Sequence, residues 1–287
     1  MNEQAIRFDC DGLPLVGILH RTVPGARRGV LIVTGGGPQY RVGGHRQQTL
    51  WGRAFAAAGF PVFRFDYRGM GDSYGRFHDY DEIEADIDAA IRQFSSLCEG
   101  MEEIVLWGEC NAGSAILLNA YRHPMVRGLV LLNPFVRTEV VHAKTLLKHY
   151  YRTRIIQPSF WKKVLLLRFH PLDAIGSLMQ LARTTMRERK SQSPEDGATA
   201  FARSESLPDR MLEGLQRFKG PLMLILSGRD FTARELDELI YGSPEWRAAL
   251  GDPRVSRRDL PDADHTFSSG AWRKQVADWG LEWLRKW

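Results

Sequence analysis

The chain has 287 residues, 44% of them hydrophobic and 25% charged, with a formal net charge of +5. At about 150 residues per domain that is one to two domains, long enough to bury a core without disulfide or metal staples. The composition excludes disordered and collagen-like chains, and the charge is too small to argue for nucleic acid.

The first residues, MNEQAIRFDCDG, lack the basic and apolar regions of a secretory signal. Residues 6–19 read as an antiparallel hairpin around the turn dipeptide Asp11-Gly12. Val-Leu-Ile-Val at 30–33 reads as a buried strand that stops at Thr34-Gly35-Gly36-Gly37. A helix is expected over 47–58. A second strand, Val-Phe-Arg-Phe at 62–65, stops at Asp66. The stretch 80–97 carries Ile83, Ile87, Ile91 and Phe94 at helical spacing, so one face is apolar.

Further buried strands follow at 104–107, 129–132 and 222–226, and another at 255–260. Helices are expected over 114–121 and 272–287. Strands alternating with helices predict an α/β fold with a mostly parallel central sheet flanked by helices. Residues 137–206 break the alternation with helical patterns and no convincing strand. The expected organisation is therefore an α/β core from 1–136 and 207–287 with a helical cap, or lid, inserted at 137–206. The cap holds 13 Lys and Arg against 6 Asp and Glu, which leaves the core at −2. No apolar run approaches the roughly 20 residues of a membrane span. With only Cys10, Cys98 and Cys110, there is no disulfide framework, and the setting expected is cytoplasmic.

Chemistry concentrates at Leu106-Trp-Gly-Glu-Cys-Asn-Ala-Gly-Ser114, a strand, then Gly-x-Cys-x-Ala, then a helix. The pattern resembles the nucleophile elbow of the α/β-hydrolases, Gly-x-Ser-x-Gly, with Cys110 in place of serine and Ala112 at the last small position. A thiol at a helix N-terminus is favoured as thiolate. The competing reading is an inert buried cysteine.

In that superfamily an acid ends a later strand and a histidine follows the next one. Asp230, after the strand at 222–226, and His265, after the strand at 255–260, hold those places. Asp230 is also a good turn or helix-capping residue. Asp262 and Asp264 are rival acids, but they lie too close in sequence to His265 to reach it easily across the site. The resemblance gives the glycine run the role of oxyanion loop, with the backbone N–H groups of Gly36 and Asn111 as donors; a simple turn or a phosphate cradle are the alternatives. No metal-ligand pattern is present, and no cofactor is expected.

Thr34-Gly-Gly-Gly-Pro-Gln-Tyr-Arg-Val-Gly-Gly-His-Arg-Gln-Gln48, then Phe65-Asp-Tyr-Arg-Gly-Met-Gly-Asp-Ser73 and a cysteine elbow, resemble the exosortase A system-associated hydrolase 1 family, found beside exopolysaccharide and protein-sorting genes in Gram-negative bacteria. The family's elbow often has Leu-Cys-Asp where this chain has Glu109-Cys110-Asn111. A cysteine nucleophile is also similar to that of dienelactone hydrolases, which lack a large lid. By this resemblance Arg41, His45 and Arg46 fall just after the oxyanion loop and suit an anionic part of a substrate; a solvated basic loop is the plain alternative.

The expected activity is cleavage of a carboxylic ester or thioester through a Cys110-His265-Asp230 triad and an acyl-enzyme. Acyl transfer to an alcohol or amine is the first alternative, and a non-catalytic binding module of the same fold the second. The expected partner is a small or carrier-bound acyl substrate, anionic in one reading, with peripheral membrane contact through the basic cap as a further reading.

Overall fold

The computed structural model describes residues 2–22, 24–37, 39–136 and 206–286. The chain divides into two units, Met1–Val141 with Ser206–Trp287, and His142–Glu205. The cap expected at 137–206 lies outside the described residues, apart from its last position, Ser206.

Eight strands form one sheet in the order β1-β2-β4-β3-β5-β6-β7-β8. β1 (Asn2–Cys10) and β2 (Leu13–Arg21) form the expected hairpin, and its turn puts Asp11 and Gly12 at positive φ, which Asp and Gly tolerate best. β2 pairs antiparallel with β4 (Val62–Asp66). From β4 onward every pairing is parallel, through β3 (Arg28–Val33), β5 (Glu103–Glu109), β6 (Val126–Leu132), β7 (Leu222–Ser227) and β8 (Val255–Leu260).

Among the described residues the α-helices are α1 (Gln47–Ala57), α2 (Glu84–Leu97), α3 (Asn111–Asn119), α4 (Leu207–Arg217), α5 (Phe231–Gly242), α6 (Pro244–Leu250) and α7 (Gly270–Leu284). The strands alternate their side chains between two cores, as the period of two requires. On one face Leu31, Phe63, Leu106 and Leu129 meet Ile87 and Phe94 of α2 and Ile116 of α3. On the other Val30, Val62, Val105 and Val130 meet Trp51 and Phe55 of α1 and Val276 and Trp283 of α7. The helical-spacing residues Ile83, Ile87, Ile91 and Phe94 are all buried.

Helix α4 starts at a capping box in which Ser206 and Asp209 satisfy each other's backbone. None of the helices among the described residues is long and apolar enough to cross a membrane. The sheet delivers β3, β5, β7 and β8 to one edge by their carboxyl ends, where α/β sheets hold their ligands.

Candidate functional site

Cys110 follows the last residue of β5 and caps α3 with φ 54° and ψ −127°. A non-glycine residue at such φ is strained by about 1–3 kcal/mol and persists only where its surroundings hold it. Here the Cys110 N–H donates to the Leu132 carbonyl at 2.9 Å, and the Cys110 carbonyl accepts from the Phe135 N–H at 3.1 Å. The small neighbours are required: a Cβ added at Gly108 would stand 2.5 Å from Ile116 Cδ1 and 3.0 Å from the backbone of Ala112. The turn lifts the half-buried thiol of Cys110 off the sheet edge.

His265 lies in the loop after β8, and its Nδ1 is 2.9 Å from Oδ2 of the buried Asp230. The His265 ring also lies beside Cys110, close enough to be shifted by it. Burial works against the imidazolium, but the Asp230 carboxylate and Cys110 outweigh it and raise His265 from 6.5 to about 10. The ring therefore holds its proton at neutral pH.

Asp230 does two jobs. Its carboxylate accepts from Thr232 N–H at 3.2 Å and Ala233 N–H at 3.0 Å, capping α5, while it faces His265. The rival acids are committed elsewhere: Asp262 pairs with Arg229 at 2.9 Å, and Asp264 accepts from the backbone and hydroxyl of Ser268.

The glycine loop reaches the elbow. Gly36, at φ 94°, donates its N–H to Asn111 Oδ1 at 2.5 Å, and Asn111 Nδ2 returns a bond to the Gly36 carbonyl at 3.2 Å. So of the two expected oxyanion donors, the Asn111 backbone N–H has no acceptor among the described residues, and the Gly36 N–H is occupied by the Asn111 side chain. Thr34 is buried, with its hydroxyl on Gln48 Oε1 at 3.0 Å and the Phe65 carbonyl at 3.2 Å.

The three candidate anion-binding residues are placed differently. Arg41 spends its guanidinium on the buried Asp66 and on Asp72, so its charge is already matched. His45 and Arg46 are exposed, at φ 52° and 61°. His45 lies close enough to Asp264, the neighbour of His265, to lower that carboxyl after burial and the Ser268 bonds are counted. The segment around Ser73 is tied into the sheet: the Ser73 hydroxyl donates to the Asp66 carbonyl at 2.6 Å and accepts from the Val16 N–H at 2.9 Å.

Two features escape a sequence reading. Asn133, buried after β6 at φ 44°, donates from Nδ2 to Ser227 Oγ and to the His265 carbonyl, both at 2.9 Å, and accepts from the Ser227 N–H at 2.8 Å. It ties the loop of the histidine to the strand that leads to the acid. The other feature is a buried carboxyl: Glu109, bonded to Gln47 Nε2. Burial pushes Glu109 up to about 8, with His265 opposing and Asp230 adding to the rise.

The sequence model of the alpha/beta hydrolase family matches residues 30–279. No curated protein sequence matches the chain. Among solved structures, the chain is similar to the esterase Pf2001 of Pyrococcus furiosus at 14% identity and TM-score 0.62, covering 100% of this chain and 93% of that one. It is similar to the esterase domain of a Rhodothermus marinus protein at 17% identity and TM-score 0.58, covering 100% and 99%. Est1E of Butyrivibrio proteoclasticus matches at 14% identity and TM-score 0.58, covering 98% of this chain and 97% of that one. At these identities the likeness shows an α/β-hydrolase fold.

Proposed function

The chain belongs to the alpha/beta hydrolase family, and on that premise we propose that it cleaves a carboxylic ester or thioester with Cys110 as nucleophile, His265 as acid and base, and Asp230 as the partner of His265. One observation carries the reading. The strained Cys110 elbow, the histidine beside it, and the carboxylate 2.9 Å from that histidine's Nδ1 come from the ends of three different strands. A structural cysteine needs none of this.

In the proposed reaction the Cys110 thiolate attacks the substrate carbonyl, a C–S bond forms, and the carbonyl electrons move to oxygen. The N–H groups of Asn111 and Gly36 hold that oxyanion, for which the Asn111 side chain turns away from Gly36. As the intermediate collapses, the alkoxide or thiolate leaves with the proton of His265. Water then attacks the thioester, gives its proton to His265, and the thiolate is released. Asp230 keeps the imidazole oriented throughout. The raised His265 supports this order of events, because its proton is in place before the leaving group needs it.

His45 and Arg46 are proposed to meet an anionic part of the substrate, supported by their exposure beside the loop of His265. The narrower resemblance to exosortase A system-associated hydrolases belongs to the same proposal and rests on the elbow and the stretches 34–48 and 65–73. Activated esters of increasing acyl length, with Cys110→Ala as control, test the reading. Turnover by wild type and none by the variant is expected; equal turnover overturns it. Product analysis with an added alcohol separates hydrolysis from acyl transfer, since a thioester acyl-enzyme serves both.

A further inference from the structure

Glu109 immediately precedes the nucleophile, and the mechanism above gives it no part. Its side chain is buried, and Oε2 accepts from Nε2 of Gln47 in the first turn of α1. The two remaining polar atoms of this pair, Glu109 Oε1 and Gln47 Oε1, are buried acceptors, and neither has a hydrogen-bond partner among the described residues. Two stranded acceptors on one bonded pair are costly. A single proton satisfies both. A protonated carboxyl donates O–H to the amide oxygen while the amide donates N–H to the other carboxyl oxygen, closing a ring of two hydrogen bonds.

We propose that Glu109 is a positioning residue that works in its protonated form, closed on Gln47 in this acid–amide ring, and that its ionisation is what weakens the Cys110–His265 pair at alkaline pH. The inference rests on the reading of Cys110 as nucleophile.

The surroundings favour it. The charged groups facing Glu109 are His265 and Asp264 from the loop after β8 and Asp230 from the end of β7, with Cys110 next in the chain and the amide of Gln47 on α1. Burial and the two aspartates resist a further negative charge and push Glu109 up to about 8, against the pull of His265 and Gln47. While Glu109 is neutral, Asp230 is left as the charged partner of His265. Once ionised, Glu109 sets a further anion alongside Asp230 and Asp264, facing the His265 ring that stands beside Cys110. It also holds the proton on His265 more tightly against the leaving group.

The test is the pH profile of kcat/KM for a p-nitrophenyl ester, together with the infrared absorption of protonated carboxyl groups. Glu109→Gln closes the same ring with two N–H donors and cannot ionise. Wild type is expected to fall about tenfold between pH 7 and pH 9, as Glu109 goes from about one tenth to about nine tenths ionised around its value of about 8. The Glu109→Gln profile is expected to stay flat over that range. A protonated-carboxyl band should be present in wild type at pH 7, lost by pH 9, and absent from Glu109→Gln. A Glu109→Gln profile that overlays wild type, or no such band at pH 7, overturns the inference. If Cys110→Ala turns over like wild type, the nucleophile assignment fails instead, and the band still reports on the ring.

Discussion

Cys110 occupies a backbone conformation that costs about 1–3 kcal/mol, and the residues around it account for how that is held: Leu132 and Phe135 bond its backbone, and Gly108 leaves room beneath it. Its partner His265 is set by Asp230. Asp230→Asn still offers an oxygen to cap α5, so the fold should survive while the imidazole loses its carboxylate. We expect turnover to fall by roughly 10²–10⁴-fold and His265, now at about 10, to drop toward its ordinary 6.5, read from the pH dependence of the rate. The sign for stability follows from the same shift. Because the folded value of His265 lies above the unfolded one, its contribution is full below about pH 6.5 and is lost as pH rises through about 10. Melting temperatures should therefore decline more steeply from pH 6.5 to 10 in wild type than in Asp230→Asn; parallel curves would contradict the assignment. Cys110, Asp230 and His265 could be picked out as candidates because each follows a strand-like run. The closure of Gly36 N–H by Asn111 was not, since it depends on one side-chain rotamer, nor was the Glu109–Gln47 pair, whose members lie 62 residues apart.

At the level of elements, the face covered by α1 and α7 depends on close packing of aromatic rings. Trp107 of β5 meets Trp51 at 5.4 Å and Phe55 at 5.0 Å between centroids, and Gly280 of α7 lies against it, so an added Cβ would stand 2.9 Å from the Trp107 ring. Gly280→Ala should lower stability by about 1–3 kcal/mol through overpacking, measured by urea unfolding, with little effect on the residual chemistry of the folded fraction. Asn133→Ala acts differently: it removes bonds to Ser227 and to the His265 carbonyl. A loss of about 1–3 kcal/mol should come with a lower kcat, because the loop of His265 is freed. The inner strands β3 to β7 were legible because short apolar runs stopped by turn residues fit strands buried on both faces of a parallel sheet, whereas β8, with no fully buried residue, was legible from its stop at Pro261. Helices α4, α5 and α6 were missed. In α5, the segment Phe-Thr-Ala-Arg-Glu-Leu-Asp-Glu-Leu-Ile-Tyr-Gly mixes charge with sparse apolar positions, and its start is set by Asp230, whose capping and histidine-facing roles coexist.

At the scale of the molecule, the charge is uneven. Residues 137–206 carry +7 and the rest −2, so the basic character belongs to the segment that interrupts the core rather than to the core itself. Exposed Arg46 adds positive charge in the turn that leads into α1. If these charges draw in an anionic acyl donor, its kcat/KM should fall as salt rises from about 0.05 to 0.5 M, because screening shortens the reach of the field, while a neutral donor of equal length should be insensitive. Equal salt dependence for both donors would contradict it. The sheet with its crossed order was legible as a class from the alternation of strands and helices. The order itself was not, because parallel pairing is decided by contacts far apart in sequence.

The central claim is that a covalent acyl-enzyme forms on Cys110. Rapid mixing of the protein with a p-nitrophenyl ester, followed by acid quench and mass analysis of the peptides, tests it directly. A burst of about one p-nitrophenolate per active site and an acyl mass on the peptide containing Cys110 are expected, both absent from Cys110→Ala. Turnover without a burst, or an acyl mass elsewhere with full activity in Cys110→Ala, would contradict it.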